Sequence, residues 1–452
     1  MAATMGGVVL DSGVWDTLRQ GQEGGGDKMH VTQNAVTKQG AVDVLVRSET
    51  LAGYGDKTFS NKPKKEGKAT SQKASGRCWI FAALNCIRAE MRSAYKLPED
   101  FELSQSYLFF FDKLERCSYF FNAILDTRHL PLDSREVQFL LSNPLNDGGQ
   151  WDMVVNLIEK YGVVPKSAYP ESHASSNSRA MNRFLTSLLR QYARELREQQ
   201  GDTQAAQRVY LQHIYRALCI YMGTPPQSFS WRYYDKDGAF HVVPDLTPVS
   251  FYRDHARVSV KDYVSLIHDP RNPYGAVYSV KYLGNVLGGL RPVVRHLNVD
   301  MADIRRYCVQ QLEAQRPVWF GCDSGKDFYR KVGVWDDALF DYEAVFDVAP
   351  SFSKAERLLY GESLMTHAMV ITGFHRDTET APVTKWRIEN SWGTEHGDSG
   401  YCTMSDSWFE QFVYQVVVPR DQLDPEHQRI HASDEMTVLP PWDPMGALAV
   451  TE

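Results

Sequence analysis

The spacing of apolar residues along the sequence changes near Pro317, and this change limits the possible folds more than any other feature. Between Cys78 and Tyr221, apolar residues recur at helical spacing. After Pro317 come short β-prone runs separated by Gly, Asp and Asn turns: VWFGC, AMVITGF, KWRIEN and YQVVVP. Helices followed by strands are typical of an α+β fold, with an antiparallel sheet or barrel in the second half.

Three helices are predicted in the first half of the chain. The first begins at Cys78 and runs to about Tyr95, the second is capped by Ser104, and the third follows the turn at Asp147 and runs to Tyr161. The polar face of the first helix is predicted to carry Arg88, Glu90 and Arg92. Between about residues 181 and 221, apolar residues alternate with charged ones at helical spacing, which predicts further helices.

These patterns divide the chain into five segments. They are an N-terminal flanking segment (1–60), a helical lobe that contains the helix beginning at Cys78 (61–164), a helical insertion (165–300), a β-rich lobe (301–430) and an extended C-terminal tail (431–452). Because residues 20–75 are rich in Gly, Lys, Ser and Thr, we expect loops there with few regular elements.

Composition narrows the functional classes. The 452 residues carry a net charge of -7, which argues against a generally basic binder of nucleic acid or membranes. No apolar stretch is long enough to cross a bilayer, and the N-terminus does not resemble a secretory or organellar leader. We therefore expect a soluble, cytoplasmic protein without a membrane partner, with a mitochondrial fraction as the open alternative.

The cysteines do not form a disulfide or metal-binding pattern. Their number is odd, their spacing is scattered, and no CxxC or clustered Cys/His motif is present. We expect no metal and no cofactor, and most of these thiols should be small buried side chains. The seven are Cys78, Cys86, Cys117, Cys219, Cys308, Cys322 and Cys402.

Cys78 differs from the others because it opens a helix. The helix dipole and unpaired N–H groups at that position favour a thiolate, which is the nucleophilic form of cysteine. Gln72, six residues earlier, offers an amide that could donate to a developing oxyanion, and Trp79 could wall the site. The alternative is that Cys78 is simply a buried residue, and without other motifs the two interpretations are about equally supported.

Two later motifs favour the catalytic interpretation. His367 precedes an apolar β-prone run, where its imidazole can face a cleft. Asn390 ends another run and is followed by Ser391, Trp392 and Gly393, so its amide could orient an imidazole that Trp392 shields. Each motif alone is commonly structural, but the order Cys, His, Asn is hard to obtain by chance.

Together these motifs resemble the papain-like cysteine peptidases. Gln72, Cys78, His367 and Asn390 match that family's oxyanion glutamine, nucleophile, base and orienting asparagine. About 290 residues separate Cys78 from His367, against roughly 130 to 150 in secreted members. The longer gap and the strings SGRCWIFAALN, NPLNDGGQWDMVVNLIEKYGVVPK, KAERLLYGESLMTHAM and LPPWDPMGALA resemble the intracellular bleomycin hydrolase branch, from about residue 60 to Ala449.

The resemblance implies more than the residue patterns do. It implies a two-lobed fold with a helical lobe and an antiparallel β-barrel lobe, a homohexamer in which residues 165–300 form the assembling hook, and a C-terminal arm in the active-site cleft. A terminal carboxylate near Ala449 would anchor the free amino group of a peptide, giving an aminopeptidase. Implied substrates are peptides with a free N-terminus, the bleomycin amide and homocysteine thiolactone.

Other functions remain open at this point. The resemblance also associates the family with single-stranded nucleic acid, and the lysine-rich segment from Lys62 to Lys73 could bind it, although a solvated loop is favoured. A regulatory or nucleic-acid-binding scaffold that retains the peptidase fold is the main alternative, and a transglutaminase-like acyltransferase is another. Retention of Gln72, Cys78, His367 and Asn390 favours an active papain-like enzyme over both.

Overall fold

The structure is a computed structural model that describes residues 7–23, 26–64 and 66–448. Its α-helices are α1 (Ser12–Glu23), α2 (Gly26–Gln39), α3 (Ala41–Leu45), α4 (Ser48–Ala52), α5 (Cys78–Tyr95), α6 (Gln105–Asp126), α7 (Arg135–Ser142), α8 (Trp151–Tyr161), α9 (His173–Ser176), α10 (Arg179–Glu198), α11 (Thr203–Met222), α12 (Pro248–His255), α13 (Met301–Glu313), α14 (Tyr342–Phe346), α15 (Lys354–Leu359), α16 (Asp406–Phe412) and α17 (Pro425–Ala432). Short 3₁₀ helices are found at Val260–Asp262, Arg420–Gln422 and Pro444–Gly446.

The strands form one two-stranded and one eleven-stranded sheet in the described residues. They are β1 (Phe229–Tyr234), β2 (Phe240–Leu246), β3 (Tyr263–Ile267), β4 (Ala276–Val280), β5 (His296–Asn298), β6 (Val318–Cys322), β7 (Phe328–Tyr329), β8 (Val334–Trp335), β9 (His367–His375), β10 (Lys385–Glu389), β11 (Tyr401–Ser405), β12 (Val413–Pro419) and β13 (Thr437–Leu439). The predicted α+β class and the four predicted β-prone runs are confirmed, the runs as β6, β9, β10 and β12.

The three helices predicted in the first half are confirmed. They are α5, α6 and α8, and the hydroxyl of Ser104 accepts a hydrogen bond of 3.1 Å from the backbone N–H of Tyr107 at the start of α6. This cap satisfies one of the N–H groups that a helix leaves unpaired at its first turn. Local sequence signals are therefore sufficient to fix these elements.

The order of strands in the large sheet brings two strand ends together. It runs β13-β4-β5-β3-β12-β6-β9-β10-β11-β8-β7. Strands β9 and β10 are antiparallel neighbours, with Val370 opposite Glu389. His367 begins β9 and Asn390 directly follows β10. Because the two strands are antiparallel neighbours, both residues lie at the same end of this strand pair.

Helix α5 packs against this sheet through buried contacts. The indole N–H of Trp319, on β6, donates a 3.1 Å hydrogen bond to the carbonyl oxygen of Trp79 in the first turn of α5. The guanidinium of Arg88 forms a 2.5 Å ion pair with Glu389, the last residue of β10, and both are buried. The prediction that Arg88 lies on an exposed polar face is wrong, because this long-range carboxylate neutralises it inside the core.

The segment predicted as a helical insertion contains strands as well as helices. Helices α10 and α11 confirm the helical pattern of residues 181–221, and Tyr192 and Tyr210 stack between them at 3.9 Å. Strands β1 and β2 then form an antiparallel pair. Strands β3, β4 and β5 also fall within residues 165–300, and they join the large sheet.

Residues 1–55 and 338–351 form one compact unit, and residues 56–337 and 352–452 form the other. In the smaller unit, the backbone N–H of Arg47 donates to the carbonyl oxygen of Leu339 at 2.9 Å. The prediction of loops from residue 20 is wrong up to residue 52, where α1 to α4 form. Gly26, Gly40 and Gly53 stand at helix ends and delimit helices, while Gly21 is tolerated inside α1.

The C-terminal tail is extended and is held by the larger unit. Strand β13 pairs in parallel with β4, and the side chain of Met445 is buried in the core that contains α5. Arg271 bridges Asp269 and Asp443, with 2.8 Å contacts to each, and so ties the tail to the end of β3. None of the helices in the described part of the chain is both long and apolar enough to cross a membrane.

The ion pair between Arg88 and Glu389 generates a stability prediction. Arg88→Met leaves a buried carboxylate without a partner, so we expect the free energy of unfolding to fall by about 3–5 kcal/mol. The double variant Arg88→Met/Glu389→Met should recover much of that loss. Urea unfolding measures both values.

An exposed pair supplies the control for this experiment. Lys96 and Asp237 form a 2.7 Å ion pair with side chains 56% and 58% exposed, so Lys96→Met should change stability little. If Arg88→Met destabilised the protein no more than Lys96→Met does, the ion pair would not hold α5 to β10.

Candidate active site

The orientation of the His367 ring follows from one amide. The backbone N–H of Ser391 donates to Asn390 Oδ1 at 2.7 Å, and since an N–H can only donate, this atom must be the amide oxygen. The same oxygen lies 3.0 Å from His367 Nε2, so Nε2 carries the proton. His367 Nδ1 is then the free lone pair, and it is buried without a hydrogen-bond partner.

Trp392 covers this imidazole. Its ring stacks on the ring of His367 with centroids 5.0 Å apart and an interplanar angle of 29°. The stacking limits access of water to the bond between His367 and Asn390, which strengthens that bond. This arrangement agrees with the shielding predicted from the Asn-Ser-Trp-Gly string.

Cys78 lies against the first residues of β9. It is the first residue of α5 and is fully buried, in the same core cluster as Ala368 and Trp319. The backbone N–H of Ala368, the residue after His367, lies where it stabilises the charged form of the Cys78 sulfur. The structure therefore brings the thiol and the start of the strand that carries the imidazole together.

Burial controls the protonation of both groups. It raises the pKa of the Cys78 thiol to about 12, against the opposing effect of the N–H groups of Ala368, Trp79 and Cys78 itself. It lowers the pKa of His367 to about 4, although the hydrogen bond with Asn390 acts in the other direction. Both shifts favour a neutral thiol beside a neutral imidazole.

Burial therefore opposes the thiolate predicted from the helix position, and that thiolate stays a prediction. A helix N-terminus stabilises an adjacent charge by about 0.3–1 kcal/mol, rarely by 2. The shift of Cys78 from 9.0 to about 12 corresponds to roughly 4 kcal/mol in the opposite direction. Desolvation therefore outweighs the helix dipole.

Gln72 is fixed on two sides within the same site. Its Oε1 accepts a 2.6 Å hydrogen bond from the hydroxyl of Ser391, and its Nε2 donates to the carbonyl oxygen of Ser75 at 2.6 Å. An amide nitrogen has two N–H groups, so one stays available for another acceptor. Ser391 thus links the Asn390 segment to Gln72, a connection that the sequence did not indicate.

Asp147 orders the turn before Cys78, a role that the sequence also did not reveal. Its carboxylate accepts from the backbone N–H of Gly76 at 3.1 Å and from Lys113 at 2.6 Å. Ser178 and Asn182 also donate to it. Burial alone would raise the pKa of Asp147, but the Lys113 ammonium and these hydrogen bonds hold it below its usual range.

Gln150 binds the C-terminal arm close to the Cys78 helix. Its buried Nε2 donates two hydrogen bonds of 2.9 Å, to the carbonyl oxygens of Met445 and Ala447. The preceding Gly149 packs so closely on the Trp79 ring that a Cβ atom there would lie 2.6 Å from it. The arm therefore passes next to the first turn of α5, while the predicted anchoring residue Ala449 lies outside the described residues.

One group of side chains in the described residues has the spacing of metal ligands: Asp303, Asp424 and His427. Arg306 forms ion pairs with both carboxylates, and the hydroxyl of Tyr307 bonds to Asp424 and His427. The candidate ligand groups therefore already have partners within the chain. The expectation that the protein needs no metal stays a prediction.

A family model and several known proteins are similar to this chain over nearly its whole length. The Peptidase C1-like family model covers residues 22–446. Bleomycin hydrolase of Homo sapiens is 43% identical over 434 residues, which are 93% of this chain and 94% of that protein. Aminopeptidase C of Lactococcus lactis subsp. cremoris is 43% identical over 428 residues, 93% of this chain and 96% of its own.

A solved structure is also similar. The crystal structure of PepW from Lactobacillus rhamnosis HN001 superimposes with a TM-score of 0.94 at 42% identity, covering 98% of this chain and all of the other. Similarity at this level extends through both the helical and the β-rich parts of the fold.

The hydrogen bond at His367 generates a pKa prediction. Asn390→Leu keeps a similar volume but removes the acceptor that raises the pKa of His367, so burial acts unopposed and the pKa should fall below its value of about 4. Nuclear magnetic resonance titration of ¹⁵N-histidine-labelled protein measures it. Trp392→Phe, which keeps the acceptor and an aromatic ring, should leave the pKa near 4, and a rise in Asn390→Leu would contradict the geometry.

Proposed function

The chain belongs to the Peptidase C1-like family, and on that premise we propose that it is a cysteine aminopeptidase with Cys78 as nucleophile, His367 as base and Asn390 as the residue that orients the base. One observation carries the assignment. The Nδ1 lone pair of His367 is buried and unpartnered at the start of the strand against which Cys78 packs. An unpaired buried acceptor is costly to keep, so its presence beside a thiol supports a functional role as a proton acceptor.

Acylation begins with transfer of the Cys78 proton to His367 Nδ1. The sulfur attacks the substrate carbonyl carbon, and the carbonyl oxygen becomes an oxyanion. The imidazolium then donates its proton to the leaving amine, the C–N bond breaks, and an acyl-enzyme forms on Cys78. Since burial disfavours the charged forms of both groups, proton transfer would be closely coupled to the attack, when the oxyanion site stabilises the developing charge.

Gln72 and the backbone N–H of Cys78 would stabilise the oxyanion. The free N–H of Gln72 Nε2 supplies one donor, and the hydroxyl of Ser391 keeps that amide in place. Deacylation uses the same groups in reverse. His367 takes a proton from water, the hydroxide adds to the thioester carbonyl, and Cys78 leaves as a thiol with the proton returned by the imidazolium.

The C-terminal arm would make the enzyme an aminopeptidase. The two hydrogen bonds from Gln150 hold Met445 and Ala447, and we place the acyl part of a substrate at the end of this arm. A carboxylate at the end of this arm, with Ala449 at or near it, would pair with the substrate α-ammonium. The same arm would block longer substrates from extending past their first residue.

Finer features of function come from the names of relatives and from the family resemblance. We propose peptides with a free N-terminus as the main substrates, with the bleomycin amide and homocysteine thiolactone as further acyl donors. A homohexamer, an intracellular location in the cytoplasm or partly in mitochondria, and binding of single-stranded nucleic acid by Lys62 to Lys73 stay predictions.

A pair of fluorogenic substrates tests the proposed activity. An aminoacyl substrate with a free amino group should be cleaved at least about tenfold faster than its N-acetylated form, because one charge-assisted contact is lost. Cys78→Ala should abolish turnover of both. Preference for the acetylated substrate would indicate an endopeptidase, and turnover by Cys78→Ala near the native rate would refute the nucleophile.

Gln150 offers a second test, directed at the arm. Gln150→Leu keeps the volume but removes both hydrogen bonds, worth about 1 kcal/mol each, so the preference for the free amino group should fall by up to about 30-fold. Gln311→Leu is the matched control, because Gln311 is also buried and donates to the carbonyl oxygen of Pro317. An equal change in both variants would mean that Gln150 does not position the arm.

A further inference from the structure

Arg330 is an exposed cation beside the candidate active site. It directly follows β7, and its guanidinium carbon lies 5.3 Å from the centre of a Trp392 ring. Among the described residues, this ring contact is the single interaction found for its side chain, and no carboxylate pairs with it. Lys326, four residues earlier, differs because its ammonium is paired with Glu362 at 2.6 Å. The guanidinium of Arg330 is therefore available to an anion from outside the chain.

Trp392 connects this cation to the proposed base. The ring centres of His367 and Trp392 are 5.0 Å apart, and the guanidinium carbon of Arg330 is 5.3 Å from a Trp392 ring centre. The guanidinium therefore lies within about 10 Å of the imidazole. Arg330 and His367 thus both border Trp392, while Gln150 holds the arm through its hydrogen bonds to Met445 and Ala447. The free cation therefore lies next to the proposed base, with the Trp392 ring in contact with both.

The chemistry places the leaving portion of the substrate next to Trp392. His367 donates its proton to the leaving amine, so the portion of the peptide after the scissile bond must lie next to His367 and Trp392. An extended peptide advances about 3.3–3.6 Å per residue, so a carboxylate one or two residues beyond that bond lies within reach of a guanidinium about 10 Å from the imidazole. A long arginine side chain resting on an aromatic ring is well suited to meet it.

We propose that Arg330 selects peptides whose leaving portion carries a carboxylate close to the scissile bond. This inference rests on the proposed aminopeptidase function and names its favoured substrate class. The carboxylate can come from the free C-terminus of a short peptide or from an Asp or Glu side chain directly after the bond. In either case the anion pairs with Arg330 while the α-ammonium at the other end pairs with the arm.

Two pairs of peptides distinguish these sources. The first pair is a tripeptide with a free carboxyl terminus and the same tripeptide as its amide. The second pair consists of amidated tripeptides that have Glu or Gln directly after the scissile bond. In steady-state kinetics at low ionic strength, a carboxylate that Arg330 binds should give its peptide a two- to fivefold higher kcat/KM than the uncharged peptide of the same pair. This is the range expected for one exposed ion pair.

Variants of Arg330 show whether this preference belongs to that residue. Arg330→Gln should raise KM for the carboxylate substrates two- to fivefold with little change in kcat, and should leave the amides unchanged. Arg330→Glu should invert the preference, and Arg330→Lys should retain part of it. Arg420→Gln, which removes an exposed arginine after β12, is the charge-matched control and should have no effect.

Each outcome separates this inference from the function on which it rests. Equal kcat/KM for acids and amides in the native enzyme would overturn the inference while leaving the aminopeptidase intact. A uniform loss of kcat on all four peptides in Arg330→Gln would also overturn it, since Arg330 would then only support Trp392. Failure of the native enzyme to release the first residue from any of the four would refute the proposed function itself.

Discussion

The buried ion pair between Arg88 and Glu389 joins the two parts of the fold that supply the candidate active site. Arg88 lies in the helix that begins at Cys78, and Glu389 immediately precedes Asn390. His367 begins the strand next to the one that Glu389 ends. Each proposed catalytic group therefore stands at the end of a helix or strand whose position is fixed by core packing, which holds such groups more precisely than a loop would.

Burial of the site sets its chemistry. Burial raises the pKa of the Cys78 thiol and lowers that of His367, which favours the neutral forms and avoids the desolvation cost of an ion pair. In the proposed mechanism the negative charge would appear on the substrate oxygen, where Gln72 and a backbone N–H would stabilise it. Ser391 is central to this arrangement because it contacts both Asn390 and Gln72.

Much of this architecture could be predicted from local sequence signals. Helical periodicity and the Ser104 cap predicted α5, α6 and α8, and β-prone runs predicted the strands that begin at His367 and end before Asn390. One error, the loops expected before residue 52, came from reading helix-end glycines as signs of loops, and another came where distant residues decide the outcome. Arg88 is buried because of Glu389, 301 residues away. The contacts made by Asp147, Gln150 and Ser391 likewise join segments far apart in the chain, so no local pattern marks them.

The central claim is that His367 activates Cys78, and cysteine alkylation tests it most directly. Iodoacetamide modification of each cysteine, followed by mass spectrometry of native protein and His367→Ala, gives seven rates per protein. Cys86 and Cys219 are more exposed than Cys78, so exposure alone would favour them. The account predicts that Cys78 reacts fastest and slows by more than about tenfold without the imidazole; a Cys78 rate no higher than those of the other thiols, or unchanged in His367→Ala, would contradict it.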